Sequence, residues 1–227
     1  MKKILILIAI GFSLSGYCQK PGQENALVTI RGNIGIPRVI GSGAFRTSFA
    51  GLYEGNLSVN VKIIEKFFVG LGYQNTQFQN NKFLKFQYFN ASIPYNTRLL
   101  MSGIFIKLGY DRFFSDKGYT SFSLNSGMML NKYFNVNADT SAANKPFGLL
   151  NFVAPYIQPE LAINFIVEKR LAFSIMLSYT TMFNKFDPKA PRFAQFQEVQ
   201  DSRNRYFMNW INIGFGFTVL LDKKSKQ

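Results

Sequence analysis

Six charged side chains stand out by their placement. Arg31, Glu54, Lys62, Lys107, Asp111 and Glu160 are spread over four segments in which apolar residues alternate with small polar ones. Three are cations and three are carboxylates, so together they could form a neutral network, or a path for protons or ions. Catalysis is harder to build from them. The chain has no histidine, which removes the commonest general base, the commonest metal ligand and every triad that relies on imidazole. A Ser–Lys pair or paired carboxylates could substitute, but no spacing identifies such a pair. The sole cysteine, Cys18, lies near the start of the chain. No Walker loop, dinucleotide fingerprint or Cys/His metal spacing occurs, and Asp and Glu are too scattered for a calcium loop. No catalytic residue, metal or cofactor is expected, and the enzymatic reading ranks below the others.

A second set of residues combines aromatic and basic side chains in two long polar stretches. One carries Lys82, Phe83, Lys85, Phe86, Tyr88 and Arg98; the other carries Lys185, Lys189, Arg192, Arg203 and Arg205, interspersed with Phe186, Phe193 and Phe196. Rings beside cations suit sugars, phosphates or a partner protein. Equally, the rings could pack the loops together while the cations face lipopolysaccharide.

The net charge of +14 and pI near 9.9 raise nucleic acid as a partner. No dense Lys/Arg cluster of the kind a DNA-reading helix or basic arm needs is present, and the start of the chain indicates export. Met1–Lys3 is basic, Ile4–Leu14 is almost uninterrupted apolar sequence, and Ser15–Cys18 closes with mostly small residues, the order of a secretory signal over 1–18. Tyr17 fits poorly before a lipidated cysteine, which favours cleavage after Cys18. The apolar run is too short for a spanning helix.

The elements that must position the six charges are strands. Mean hydropathy is zero and charged residues are only 17%, as expected where greasy and wet faces alternate. From Val28 onward eight segments of about ten residues follow period two. Ile34 and Ile36 oppose Arg31 and Asn33; Leu57, Val59 and Val61 oppose Glu54, Asn56 and Lys62; Leu71 and Tyr73 oppose Gly72 and Gln74. Ile104 and Ile106 oppose Lys107; Leu124 and Met128 oppose Ser123 and Asn125; Leu161 and Ile163 oppose Glu160 and Asn164. Ile175 and Leu177 oppose Ser174 and Ser178, and Ile213 and Phe215 oppose Asn212 and Gly214. Tight turns fall near Ile64–Lys66, Ser115–Gly118 and Glu168–Arg170, whereas Arg38–Leu52, Phe78–Leu100, Asn131–Ala154 and Asn184–Arg205 read as long loops. Short turns at one end and long loops at the other are the layout of a closed eight-stranded antiparallel up-and-down transmembrane β-barrel. An unpaired edge in hydrocarbon would leave backbone groups unsatisfied, so the first segment should pair with the last. Tyr53, Tyr73, Tyr110, Tyr179, Tyr206 and Trp210 are expected at the headgroup girdles.

In this pattern the chain resembles small outer-membrane barrels of the outer-membrane protein X type and the transmembrane domain of outer-membrane protein A, particularly the Bacteroidota versions that include PorT-like proteins. The resemblance runs from the signal through Val28–Leu221. It departs at the end, where the last strand closes Val219-Leu220-Leu221 in place of the aromatic residue such barrels often carry. It implies a signal peptide (1–18), a periplasmic N-terminal segment (19–27), a barrel (28–221) and a polar tail (222–227). The implied location is a Gram-negative outer membrane, with short turns periplasmic and long loops extracellular. The function expected is a non-enzymatic envelope structural or docking protein, whose partners are outer-membrane lipid, lipopolysaccharide and an envelope or secretion-system protein. A small-solute or ion channel is the first alternative, a histidine-independent enzyme the second.

One contact follows from strand arithmetic. Lys107 and Glu160 each lie about eight residues from a short turn, so at about 3.3 Å per residue they should meet mid-barrel. Arg31, Lys62 and Asp111 should group nearer the periplasmic end. Charged replacements are expected to cost more at Leu124, Ile163 or Ile213 than at Ser123, Asn164 or Asn212.

Overall fold

The computed structural model describes residues 26–64, 66–80, 84–88, 91–95, 97–135, 151–168, 170–188 and 207–222. The expected signal segment, most of the segment preceding the first strand and residues 223–227 lie outside them. In chain order the elements are β1 (Ala26–Gly41), α1 (Gly43–Ser48), β2 (Phe49–Ile64), β3 (Phe67–Asn80), β4 (Leu84–Tyr88), β5 (Ala91–Tyr95), β6 (Thr97–Ser115), β7 (Gly118–Asn135), β8 (Asn151–Glu168), β9 (Leu171–Lys185) and β10 (Phe207–Asp222). Eight of the strands close into a barrel in the order β1-β10-β9-β8-β7-β6-β3-β2, every neighbouring pair antiparallel. β1 pairs with β10 from Ala26–Asp222 to Gly41–Met208, which removes the open edge. β4 and β5 form a separate hairpin between β3 and β6, within the span read from sequence as one long loop.

The three short turns fall where the sequence placed them, with β2, β6 and β8 ending at Ile64, Ser115 and Glu168. The register shifts next to each, between Lys62 and Ile64, Phe113 and Ser115, and Ile166 and Glu168. Such irregularities tighten the local twist as a strand enters its turn.

The alternation also matches. Ile34, Leu57, Leu71, Ile104, Leu124, Ile163, Ile175 and Ile213 all point outward and are exposed, while Arg31, Asn56, Gln74, Lys107, Asn125, Glu160, Ser178 and Asn212 are buried inside. An apolar band of this extent on the outside is stable only against lipid or another apolar surface.

The strands run on past the segments read from sequence. β3 has 14 residues and β6 has 19, where about 9–11 suffice to cross a bilayer. In the added stretches, at the long-loop end, the inward face becomes apolar, and polar residues appear on the outward face beside the outward Phe134, Val153, Phe183 and Phe207. Leu99 and Met101 point in while Arg98 points out; Val39 points in and Arg38 out; Phe78 points in and Gln79 out; Met182 points in and Lys185 is exposed. Apolar-in and polar-out is the rule for a surface in water. The inward residues there form a core that includes Phe49, Met129, Tyr133, Met208 and Trp210.

α1 closes that core. Gly41 adopts φ 85°, a left-handed conformation open to glycine, and so lets the chain leave β1 and turn back. Ser42 caps the helix by accepting from the Phe45 N–H at 3.4 Å. Phe45 is thereby carried into the mouth of the barrel, fully buried, with its ring 5.6 Å from Phe49, 5.3 Å from Phe78 and 5.5 Å from Phe186.

Candidate functional site

Below the aromatic core the lumen holds three charged stations in succession. The first is Glu54 on β2, fully buried. Its Oε2 accepts from Trp210 Nε1 on β10 at 2.5 Å and from Thr76 Oγ1 on β3 at 3.3 Å. Its Oε1 accepts from Gln158 Nε2 on β8 at 2.8 Å and Asn212 Nδ2 on β10 at 3.0 Å. Four donors from three strands converge on one carboxylate, filling its acceptor sites. β1 stands between β2 and β10, and at this level it contributes Gly35, which pairs with both Glu54 and Gly214. A Cβ on Gly35 would lie 2.3 Å from Asn212 Oδ1, so the missing side chain is what lets Asn212 reach across.

The second station is an ion pair. Lys107 Nζ on β6 lies 2.8 Å from Glu160 Oε1 on β8, and both side chains are almost wholly buried. Asn125 on β7, the strand between them, donates to Glu160 Oε2 at 3.4 Å and to Gln158 Oε1 at 2.9 Å. Gln158 therefore links the first two stations, since its amide donates to Glu54 and also to Thr180. Removing one partner of such a pair strands a buried charge, whereas together the two neutralise each other.

The third station lies toward the short turns. Arg31 on β1 pairs with Asp111 on β6 at 2.6 Å, and Ser121 joins them, donating to Asp111 at 2.6 Å and accepting from Arg31 at 3.2 Å. The guanidinium stacks on Phe68, 4.2 Å from its ring centre. Phe68 in turn lies over Gly109, its cross-strand partner, where a Cβ would sit 2.2 Å from the ring. Glycine at 109 thus sets the ring on which Arg31 rests.

The structure brings Lys107 and Glu160 together as the strand arithmetic required. It groups Arg31 and Asp111, with half-buried Lys62 lining the same cavity. Two expectations need correction. Three cations and three carboxylates suggest a network of opposite charges, yet among the described residues no cation lies within ion-pair distance of Glu54; neutral donors hold it instead. Trp210 was expected at a headgroup girdle but is fully buried in the lumen. It shares the parity of Asn212, which was read as inward, so the period carried the right answer and the residue type misled. Tyr53, Tyr73 and Tyr179 do face outward, while Tyr206 lies outside the described residues. Ser123, Asn164 and Asn212 face inward as read from sequence; all three are buried, and Asn164 donates to Ser121 as Asn212 does to Glu54.

Of the loop candidates, Arg98 and Lys185 are exposed at the long-loop ends of β6 and β9. Lys85, Phe86 and Tyr88 belong to β4. Lys82, Phe83, Lys189, Arg192, Arg203 and Arg205 lie outside the described residues.

No protein-family model and no curated protein matches the sequence. Among solved structures the fold is similar to the attachment invasion locus protein Ail of Yersinia pestis, at 10% identity over 84% of this chain and 97% of that one, with a TM-score of 0.44. It is also similar to Neisserial surface protein A, at 12% identity over 86% and 97%, TM-score 0.49. The outer membrane protein OprG from Pseudomonas aeruginosa matches at 12% identity over 88% and 99%, TM-score 0.46. Likeness of this degree says nothing of what the chain binds or does.

Proposed function

We propose that the chain spans a Gram-negative outer membrane as a closed, non-enzymatic barrel and serves as an envelope structural or docking protein through its long-loop end. The observation that carries this reading is the filling of the lumen. An aromatic core sealed by Phe45 occupies the long-loop half, and hydrogen-bonded charges occupy the rest. Eight strands leave room only for their own side chains, so the barrel offers solutes no wide passage. The outward apolar band supports membrane insertion, and the cation pattern of the long-loop end suits lipopolysaccharide phosphates. Short turns would then be periplasmic and long connections extracellular.

Strand extensions packed around an apolar inside favour docking, because they carry the loops on a rigid base. Lys107 and Glu160 are each other's partners, an arrangement suited to holding strands together more than to activating a nucleophile.

Crosslinking in native outer membranes followed by affinity capture tests the proposal. A stoichiometric envelope partner, for example a secretion-system component, is expected, and deletion of residues 81–96 or 189–206 should abolish its capture. Solute uptake without a partner would replace docking by a channel function; turnover of phospholipid or peptide by the purified protein would replace it by catalysis.

A further inference from the structure

Two prolines interrupt β8, and both Pro155 and Pro159 face outward. Proline has no N–H to give a ladder, so within sheets it is confined to edges and bulges, yet β8 lies inside a closed barrel with a neighbour on each side. The pairing shows where the missing donors fall. From the short turn the β8–β9 ladder runs to Glu160–Ser178, skips Gln158 and Pro159, resumes for Ile157–Thr181 and Tyr156–Met182, and ends there. The register on either side sets Pro159 opposite Tyr179 and Pro155 opposite Phe183.

The β7–β8 ladder is intact at both prolines, through Pro159–Leu124 and Pro155–Met128, and continues to Asn151. β9 likewise pairs with β10 as far as Lys185. The interruption therefore lies in the β8–β9 seam and not in either strand. Successive residues of a strand turn their main-chain groups to alternate sides, so both proline nitrogens point at β9. Lipid against the outer face supplies no donor in their place.

A side chain takes over the lost rung. From inside the lumen Gln158 Nε2 donates to Thr180 Oγ1 at 2.8 Å and to Ser178 Oγ at 3.4 Å, both on β9. The same nitrogen donates to Glu54 Oε1 at 2.8 Å. One amide thus ties the seam and completes the cage of Glu54, so neither loosens without the other.

We propose that the β8–β9 seam is where the barrel wall opens locally, with Gln158 as its latch, and that opening the seam and releasing Glu54 are one event. Local opening draws on the stretch held by fewest main-chain hydrogen bonds. The aromatic core above and the Lys107–Glu160 pair stay in place, so the wall loosens without becoming a pore. The device does not depend on what the loops dock.

Amide hydrogen exchange of the refolded full-length barrel in a neutral detergent, read residue by residue by NMR, tests this. Ile157, Tyr179 and Thr181, whose N–H groups face the seam, are expected to exchange about tenfold or more faster than Asn125 and Gln158, which face each other across β7–β8. Gln158→Leu should speed the seam amides about tenfold further, the scale of a lost hydrogen bond, and shift the emission of Trp210, which shares Glu54 with Gln158. Pro159→Ala restores an N–H opposite Tyr179 and should slow them; in that background Gln158→Leu should change their exchange little. The compact, heat-modifiable band on gels reports that each variant is folded, and if Gln158→Leu fails to fold, the unaltered barrel and Pro159→Ala still decide the question. Seam amides as protected as those between β7 and β8, or unmoved by Pro159→Ala, would overturn the proposal. So would faster seam exchange in Gln158→Leu with Trp210 emission unchanged, because the seam and Glu54 would then be uncoupled.

Discussion

Trp210 donates its indole N–H to Glu54 across the width of β1, joining the aromatic core above to the charged stations below. It is also the only tryptophan in the chain, so the junction reports on itself by fluorescence. Four donors surround Glu54. Glu54→Gln replaces one of the two oxygens by an NH₂ that would face donors and cannot accept. The variant should lose roughly 2–3 kcal/mol of stability, the scale for buried hydrogen bonds to a charged group, and its emission should shift. Unfolding in urea followed at the tryptophan checks both; unchanged emission and stability would mean the contact is not formed.

The Lys107–Glu160 pair makes a different demand. Lys107→Ala or Glu160→Ala alone should destabilise the barrel by about 3–5 kcal/mol, because each strands a buried charge. The double replacement should cost clearly less than the sum. A double-mutant cycle by equilibrium unfolding in lipid measures the coupling, and additive losses would dissolve the pair.

Depth along the outer face supplies a third expectation. Lysine at Ile213 or Ile104, both outward and far from the short turns, should cost about 2–4 kcal/mol of insertion free energy. Lysine at Ile63 or Val167, equally outward but beside the turns, should cost about 0–1 kcal/mol. Folding into vesicles of defined composition gives the comparison, and equal costs would remove the lipid belt from the outer face.

Sequence periodicity located the barrel, its short turns and the facing of every charge because lipid-side and lumen-side residues differ in polarity along most of each strand. It failed where the inward face becomes apolar. Leu99, Met101, Phe78 and Val39 are apolar residues pointing inward, so a count of apolar residues on the outer face stops short of them and assigns strand to loop. β4 and β5 went unread because each is only five residues long; Leu84–Tyr88 alternates apolar and polar residues, but so short a run does not stand out within a stretch read as one loop. α1 is six residues long, too short for a 3.6-residue period to show. Among the charges, parity put Lys107 and Glu160 in the lumen and their equal distance from a short turn put them at one depth. The neutral cage of Glu54 was hidden because it draws on Asn212, Gln158 and Trp210 from strands distant in sequence, and on the side chain that Gly35 lacks.

Single-channel recording in planar bilayers tests most directly whether the lumen is closed. The refolded barrel, with Phe45 seated among Phe49, Phe78 and Phe186 and the charges below it hydrogen-bonded, should add no resolvable conductance steps at moderate voltage. Phe45→Ala should leave the trace silent as well, because Glu54, Lys107 and Arg31 still fill the lumen beneath. Regular ohmic steps from the unaltered protein would contradict a closed barrel and make it a channel.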